Sequence, residues 1–277
     1  MKISFIGGGD RARIWSKIFF GRDGFEIGGF FCNPLSDCAQ LAIDTNTKLY
    51  GGIDDLCADS DMIMIVTADR VMPSVINSLS KLHINGKIIV SAADEVHASE
   101  LDTGYDNTYA VIGAGVAAEH LSAAEAESPS IVCEVTGKGA DKLKSTFDKS
   151  GIDCAFVTPQ QLNLYRTAMH LVHFGTAAVI NAGAKLVKMS AGKNEKVLSP
   201  SIRAAIGDVM SGRTHSVGHP YTDGKAIPIF EHKNVLDDVG IDSITQMFKA
   251  VAAYLTETEC ADKVMADEIV RRLRQNR

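Results

Sequence analysis

The six cysteines, Cys32, Cys38, Cys57, Cys133, Cys154 and Cys260, include no C-x-x-C pair, so the sequence suggests neither a structural zinc site nor a redox dithiol. Several fall in apolar, strand-like runs where a free thiol behaves as a small hydrophobe, and reduced thiols are the expectation. No Lys/Arg block is present and the net charge is -6, which argues against nucleic acid or an anionic membrane surface as a partner. No stretch suits a bilayer core: the most apolar candidate, 171–189, carries His173, Asn181, Lys185 and Lys188. The apolar residues after Lys2 are too few for a secretory signal before Gly7 to Arg13 intervenes. Without a signal and with reduced thiols, a cytoplasmic protein is expected. Internal repeats and low-complexity segments are also absent.

What remains is a 277-residue chain with 45% hydrophobic and 22% charged residues, a globular balance with room for two domains. Its opening stretch organises the rest. Lys2-Ile-Ser-Phe-Ile6 is strand-like and runs into Gly7-Gly8-Gly9, after which 11–20 has helical spacing with Ile14, Trp15, Ile18 and Phe19 on one side. Gly7-x-Gly9-x-x-Ala12 fits the dinucleotide fingerprint G-x-G-x-x-G/A. Gly7 turns the chain off the strand, Gly9 admits a pyrophosphate to the backbone, and Ala12 lets the helix pack closely on the sheet. The helix N-terminus then faces the phosphates with free N–H groups. A plain tight turn in a structural α/β domain is the alternative reading.

Downstream, strands are expected at 25–32, 48–51, 61–67, 86–90, 108–112, 131–136 and 154–157, alternating with helices at 37–45, 53–58, 71–82, 95–101 and 140–150. Such alternation implies right-handed crossovers and a parallel sheet with ligands at the carboxyl ends of its strands. The fold class is therefore α/β: a Rossmann-like, mostly parallel sheet domain over 1–159, followed by an all-helical domain over 160–277. The second region reads as one long helix over 162–189, a helix at 200–210, a polar loop through Lys225, and helices at 243–256 and 258–275. Small residues around most of the long helix imply burial on several sides, in a bundle or against a second subunit.

The acidic residue that grips an NAD ribose about twenty positions past the glycines is missing. Asn33 stands there, followed by Pro34 and Ser36, and only Arg11 and Arg13 supply nearby positive charge; this tilts the reading slightly from NAD towards NADP, with a plain Asn33-Pro34 turn as the alternative. Thr67-Ala68-Asp69 and Ser91-Ala92-Ala93-Asp94 follow two buried strands, where a nicotinamide ring would lie, with Asp69 and Asp94 read as helix N-caps. The expected cofactor-binding residues are thus Gly7, Gly8, Gly9, Asp10, Arg11, Ala12, Asn33, Thr67, Ala68, Ser91 and Ala92. Arg166, His170 and His173 stand at i, i+4 and i+7 on the long helix, a polar stripe able to orient a carboxylate or donate a proton. The same residues can equally face solvent. His170 and His173 lack a third ligand at metal spacing, and no metal site is expected. The loop 212–225 holds Arg213, His215, His219, Tyr221, Asp223 and Lys225, with His219 and Tyr221 the weaker catalytic candidates and a merely mobile loop the alternative.

Through Ile3 to Ala12, Ile65-Val-Thr-Ala-Asp69, Ile88-Ile-Val-Ser91, Tyr165-Arg-Thr-Ala168 and the spacing from Pro220 to His232, the chain resembles dehydrogenases that join a Rossmann domain to a helical C-terminal domain. Examples are 6-phosphogluconate dehydrogenase and pyrroline-5-carboxylate reductase, and within that branch the chain is most similar to reductase-like proteins of the Rossmann-plus-DUF2520 type. Asp223-Gly224-Lys225 replaces an Arg-Gly-Asp run of that family, and Val172-His173 replaces its Ser-Asn. The resemblance implies a nicotinamide-cofactor domain and a homodimer formed by the C-terminal helices, while the substrate chemistry does not carry over with it. The residues together lead to the expectation of an NAD(P)-dependent oxidoreductase acting on a C=N or C=O bond of a small polar metabolite. A catalytically silent nucleotide-binding protein and a deazaflavin-dependent reductase are the alternatives on the same fold.

Overall fold

The computed structural model describes residues 1–93, 95–113, 129–192, 195–212 and 220–275. They form two compact units, Met1–His170 and Leu171–Arg277. The helix Pro159–His170 therefore packs with the sheet unit.

The first unit is built on eight strands in the order β3-β2-β1-β4-β5-β6-β7-β8, with β1 Lys2–Ile6, β2 Glu26–Phe31, β3 Lys48–Leu49, β4 Met62–Ile65, β5 Ile88–Ser91, β6 Thr108–Gly113, β7 Ser130–Thr136 and β8 Asp153–Val157. The central strands are apolar on both faces because both are covered. Phe5, Met62, Met64 and Val90 join one core with Trp15 and Phe19 of α1 (Asp10–Phe19), Cys38 and Leu41 of α2 (Ser36–Asp44), and Phe147 of α5 (Ala140–Lys149). Ile63, Ile65, Ile89 and Val111 join the other with Leu56 of α3 (Ile53–Ala58), Leu79 of α4 (Met72–Ser80) and Leu162 of α6 (Pro159–His170). Ring stacking tightens the first core, with Phe5 and Phe30 centroids 5.2 Å apart.

Most expected elements form, with the following differences. β7 runs antiparallel to β6, pairing Gly113 with Val132; the chain leaves and re-enters at one edge of the sheet, so the crossover rule that sets parallel neighbours does not act there. The expected helix at 95–101 is a single 3-10 turn, Ala98–Leu101. The long helix is interrupted by a π-helical turn at Leu171–Gly175, where i→i+5 bonding changes the angular step between residues. Finally, Cys32 and Cys38 are joined in a disulfide, against the expectation of reduced thiols. Their separation of 6 positions carries no recognisable spacing signal, and the strand-turn-helix path is what brings the two Cα atoms to 6.2 Å. Because disulfides persist chiefly in oxidising surroundings, the thiol argument for a cytoplasmic location lapses.

The second unit contains α7 (Thr176–Ala191), α8 (Ser199–Met210), α9 (Ala226–Val239), α10 (Asp242–Glu259) and α11 (Lys263–Arg274). α9 is absent from the sequence reading: Pro228 breaks its apolar pattern, yet proline is tolerated in a first helical turn, where the N–H has no intrahelical acceptor. Ile229, Ala252, Ile269 and Leu273 of the last three helices close a small core. Asp262 caps α11 by accepting from the N–H groups of Val264 and Met265, both at 3.0 Å. α7 and α8 bury no residue. No helix among the described residues is long and apolar enough to cross a membrane.

Candidate dinucleotide site at the carboxyl edge of the sheet

The two ends of the sheet differ in chemistry. At the amino end Asp59 accepts from Lys2 Nζ at 2.7 Å, Lys48 Nζ at 2.6 Å and Tyr50 Oη at 2.8 Å. The hydrogen bond from Lys2, followed by those from Lys48 and Tyr50, holds its carboxyl well below the ordinary carboxylate range. At the carboxyl end the order reverses around β1, with β2 on one side and β4 on the other. Open α/β sheets place their ligands at such a reversal.

The glycine turn occupies this point. Gly7 has φ +129°, and a Cβ there would stand 2.9 Å from the carbonyl carbon and oxygen of Val66. Glycine is thus required for both conformation and space. A Cβ on Gly8 would meet the Asp37 carbonyl oxygen at 2.7 Å, whereas one on Gly9 would meet nothing within 4 Å. The first glycine lies against the end of β4, the second against α2, and the third faces open space. Gly9 is the N-cap of α1 and no side chain caps that helix, so its first-turn N–H groups and positive dipole end are directed to the open side. Ala12 is fully buried, as close helix-to-sheet packing requires.

Next to the turn, the buried Thr67 Oγ1 has no hydrogen-bond partner, an arrangement that suits a ligand group and otherwise carries a desolvation cost. Arg11 reaches from α1 to the same segment, donating to Asp69 Oδ1 at 2.6 Å and to the Thr67 carbonyl at 3.3 Å. It is therefore directed to the β4 side, away from Asn33 on the β2 side. Asp10 is exposed in the first turn of α1 and Ala68 is exposed after β4. Asn33, Ser36 and Arg13 are exposed. A diphosphate with a ribose on the β2 side fits this donor set: uncapped amides, an open Gly9 face, a partnerless hydroxyl, and no acidic side chain at Asn33.

Beyond β5, Ser91 and Ala92 are buried, and the Ser91 hydroxyl accepts from the Ala93 N–H at 3.0 Å. Arg166 donates through Nη2 to the carbonyls of Val96 at 2.6 Å and Ala93 at 3.3 Å. Part of the first member of the expected polar stripe thus holds the segment after β5. The sequence reading missed a second clamp on that segment. Glu134, buried in β7, accepts from His97 Nδ1 at 2.6 Å and from the Ala98 N–H at 3.2 Å, while Glu100 accepts from the His97 N–H at 2.7 Å. A charged residue inside the apolar run 131–136 was the available signal, since a buried carboxylate requires partners.

His170 is exposed at the end of the first unit, and His173 is exposed in the π-helical turn of the second, its ring edge-on to Phe174 with centroids 4.8 Å apart. The turn between them breaks the helical step on which the three-residue stripe relied. His219, with Arg213, His215 and Asp94, lies outside the described residues. Tyr221 is partly buried, which raises its hydroxyl pKa. Among the described residues no cluster of three or more His, Cys, Asp or Glu could hold a metal ion.

The fold is shared by solved structures that this chain matches over nearly its full length. Protein TM1727 from Thermotoga maritima superposes with a TM-score of 0.69 at 14% identity, over 99% of this chain and 100% of that one. An imine reductase from Pseudomonas sp. gives a TM-score of 0.62 at 17% identity, over 96% and 99% of the two chains. A reductive aminase from Aspergillus terreus, in complex with NADPH and ethyl levulinate, gives 0.63 at 13% identity over 99% of both. These likenesses establish the architecture, a Rossmann-like sheet domain followed by a helical one. No family model and no curated protein matches the chain.

Replacing Glu134 by Ala strands the buried Ala98 N–H and the His97 ring, and is expected to lower the unfolding free energy by about 1–3 kcal/mol. Glu134→Gln, which keeps an acceptor, should lose less; equal losses in urea unfolding curves would refute the clamp.

Proposed function

We propose that this chain is an NADP(H)-dependent oxidoreductase that transfers a hydride between the nicotinamide and a C=N or C=O group of a small polar metabolite. One observation carries the reading: an uncapped helix N-terminus behind an open Gly9 face, at the reversal of strand order. The solved structures of the same fold support it, since one is an imine reductase and another a reductive aminase in complex with NADPH. The cofactor supplies the hydride when bound; the protein contributes binding, orientation and a proton.

In this reading the backbone N–H groups of Gly8, Gly9, Asp10 and Arg11 hold the diphosphate, Gly7 and Ala12 shape the turn, and the Thr67 hydroxyl gains its missing partner. Ala68 sets the wall after β4, and Ser91 and Ala92 set the wall after β5. Asn33 presents a neutral side chain to the adenosine ribose, where an acidic residue would repel a 2′-phosphate, and Ser36 beyond it donates to Asp37 Oδ1 at 3.3 Å. Arg166 positions the segment after β5 through its two carbonyl bonds. His173 is assigned as the proton donor to the reacting nitrogen or oxygen, with His170 orienting the substrate and His219 a further candidate. A histidine suits this role because its ordinary pKa lies near neutrality.

The helices of the second unit form the contact between two copies of the chain. Val172, Val179, Ile206, Val209 and Met210 are all about half exposed or more, and an apolar groove of 540 Å³ runs between α7 and α8. Apolar surface of this kind is characteristically covered by a partner.

Three outcomes are expected. Energy transfer from the single tryptophan, Trp15 on α1, should report NADPH binding, and Gly9→Val should weaken that binding by about tenfold or more, equivalent to 1.4 kcal/mol, with an unchanged melting temperature. Absence of binding by NADPH, NADH and a deazaflavin alike refutes the reading. His173→Ala should reduce turnover on a panel of imines and ketoacids by about 10²-fold while cofactor affinity is retained; unchanged turnover removes it from the mechanism. Light scattering should give twice 29.7 kDa, and Val179→Asp with Ile206→Asp should give the single mass.

A further inference from the structure

The disulfide closes a segment that the reaction chemistry leaves unexplained. Cys32 follows β2 directly and Cys38 lies in the first turns of α2. Both are buried, at 7% and 0% exposure, within the core that also holds Phe30 and Ala12. Residues 33–37 between them are all exposed, and their backbone hydrogen bonds are local, from Asp37 N–H to Pro34 O at 3.2 Å and from Cys38 N–H to Leu35 O at 3.3 Å. The bond thus ties an exposed loop to the core at both of its ends. It also touches the glycine turn, because the space beside Gly8 is filled by the Asp37 carbonyl and the Cys38 Cβ, 2.7 and 3.0 Å from where a Gly8 Cβ would stand.

We propose that Cys32 and Cys38 are a positioning pair for the dinucleotide: the disulfide fixes the β2–α2 loop around the adenosine ribose, and its reduction weakens binding, most strongly for the 2′-phosphorylated cofactor. The inference rests on the dinucleotide reading above and deepens it. A loop already held in shape has less freedom to lose when the ligand binds, which is the general benefit of preorganisation. Once cut, the loop regains that freedom, and the packing of α2 on Gly8 is no longer covalently enforced. Asn33 and Ser36 are carried by the loop itself, so recognition at the ribose 2′-position depends on it more than recognition of the diphosphate does.

The redox step is a two-electron thiol–disulfide exchange with an added dithiol. One thiolate of the reductant attacks the Sγ of Cys32, the less buried residue of the two, forming a mixed disulfide and releasing Cys38 as a thiolate that takes up a proton. The second thiol of the reductant then attacks its own mixed-disulfide sulfur, closing the reductant's ring and releasing Cys32, which is protonated in turn. The protein gains two electrons and two protons, and the dithiol loses them.

The test compares the full chain air-oxidised, after reduction with dithiothreitol, after reoxidation, and as the Cys32→Ala, Cys38→Ala double variant. Thiols titrated in denaturant should number four in the oxidised protein, Cys57, Cys133, Cys154 and Cys260, and six after reduction. Affinities for NADPH, NADH and an adenosine 2′-phosphate fragment are measured by calorimetry beside the melting temperature. Reduction and the double substitution should each weaken NADPH and the fragment by about tenfold, weaken NADH less, and reoxidation should restore the wild-type values. A merely structural bond would lower NADPH and NADH affinity alike along with the melting temperature, and that result overturns the proposal. Equal affinity in both redox states, or six thiols in the air-oxidised protein, overturns it also. If the oxidised wild type binds none of the three ligands, the dinucleotide reading falls and this inference with it; binding that is indifferent to reduction removes this inference alone.

Discussion

Gly7 crosses the end of β4 too closely for any side chain, and the carboxyl edge depends on that contact. The Gly7 N–H donates to the Phe31 carbonyl at 2.8 Å on one side, and the Val66 N–H donates to the Ile6 carbonyl at 2.9 Å on the other. A side chain at Gly7 would push these strands apart, since its Cβ would lie 2.9 Å from Val66. The turn is therefore wedged between its neighbours, and α1 leaves it with its N-terminus aimed outward. That single steric constraint creates the anion-attracting point, and the strand reversal around β1 supplies the crevice beside it.

Around this point the side chains divide by function. Those at the amino end neutralise one another: Lys2, Lys48 and Tyr50 converge on Asp59. Those at the carboxyl end, the Arg11–Asp69 pair apart, hold backbone in place. Arg166 secures the carbonyls of Ala93 and Val96, Glu134 secures His97 and the Ala98 N–H, and the Cys32–Cys38 bond secures the loop after β2. Three separate devices thus fix the two segments that follow β2 and β5, leaving the crevice bordered by rigid walls. Positioning of this kind is what a redox cofactor asks of a protein, because the hard chemistry resides in the cofactor.

The helical unit follows a different logic. Its core is small and lies among α9, α10 and α11, while α7 and α8 keep their apolar residues on the outside. Leaving that area in water is costly at roughly 25 cal/mol per Å², so these two helices have a thermodynamic reason to be covered. His173, placed where the backbone becomes π-helical, belongs to this part of the chain; such turns recur at functional sites in other proteins.

The order of strands and helices through 1–93, the glycine turn, and the continuous buried run of Met62 to Ile65 were all written in local pattern, because they arise from residues adjacent in sequence. Gly7, Gly9 and Ala12 could be assigned roles from spacing alone for the same reason. Tertiary structure decided everything that depends on distant residues meeting. It turned β7 against β6, broke the helix after His170, sent Arg11 to Asp69, and paired Glu134 with His97 across 37 positions. It also joined Cys32 to Cys38, which no spacing rule suggests, since a disulfide requires two Cβ vectors to converge and only the folded path from β2 into α2 makes them do so.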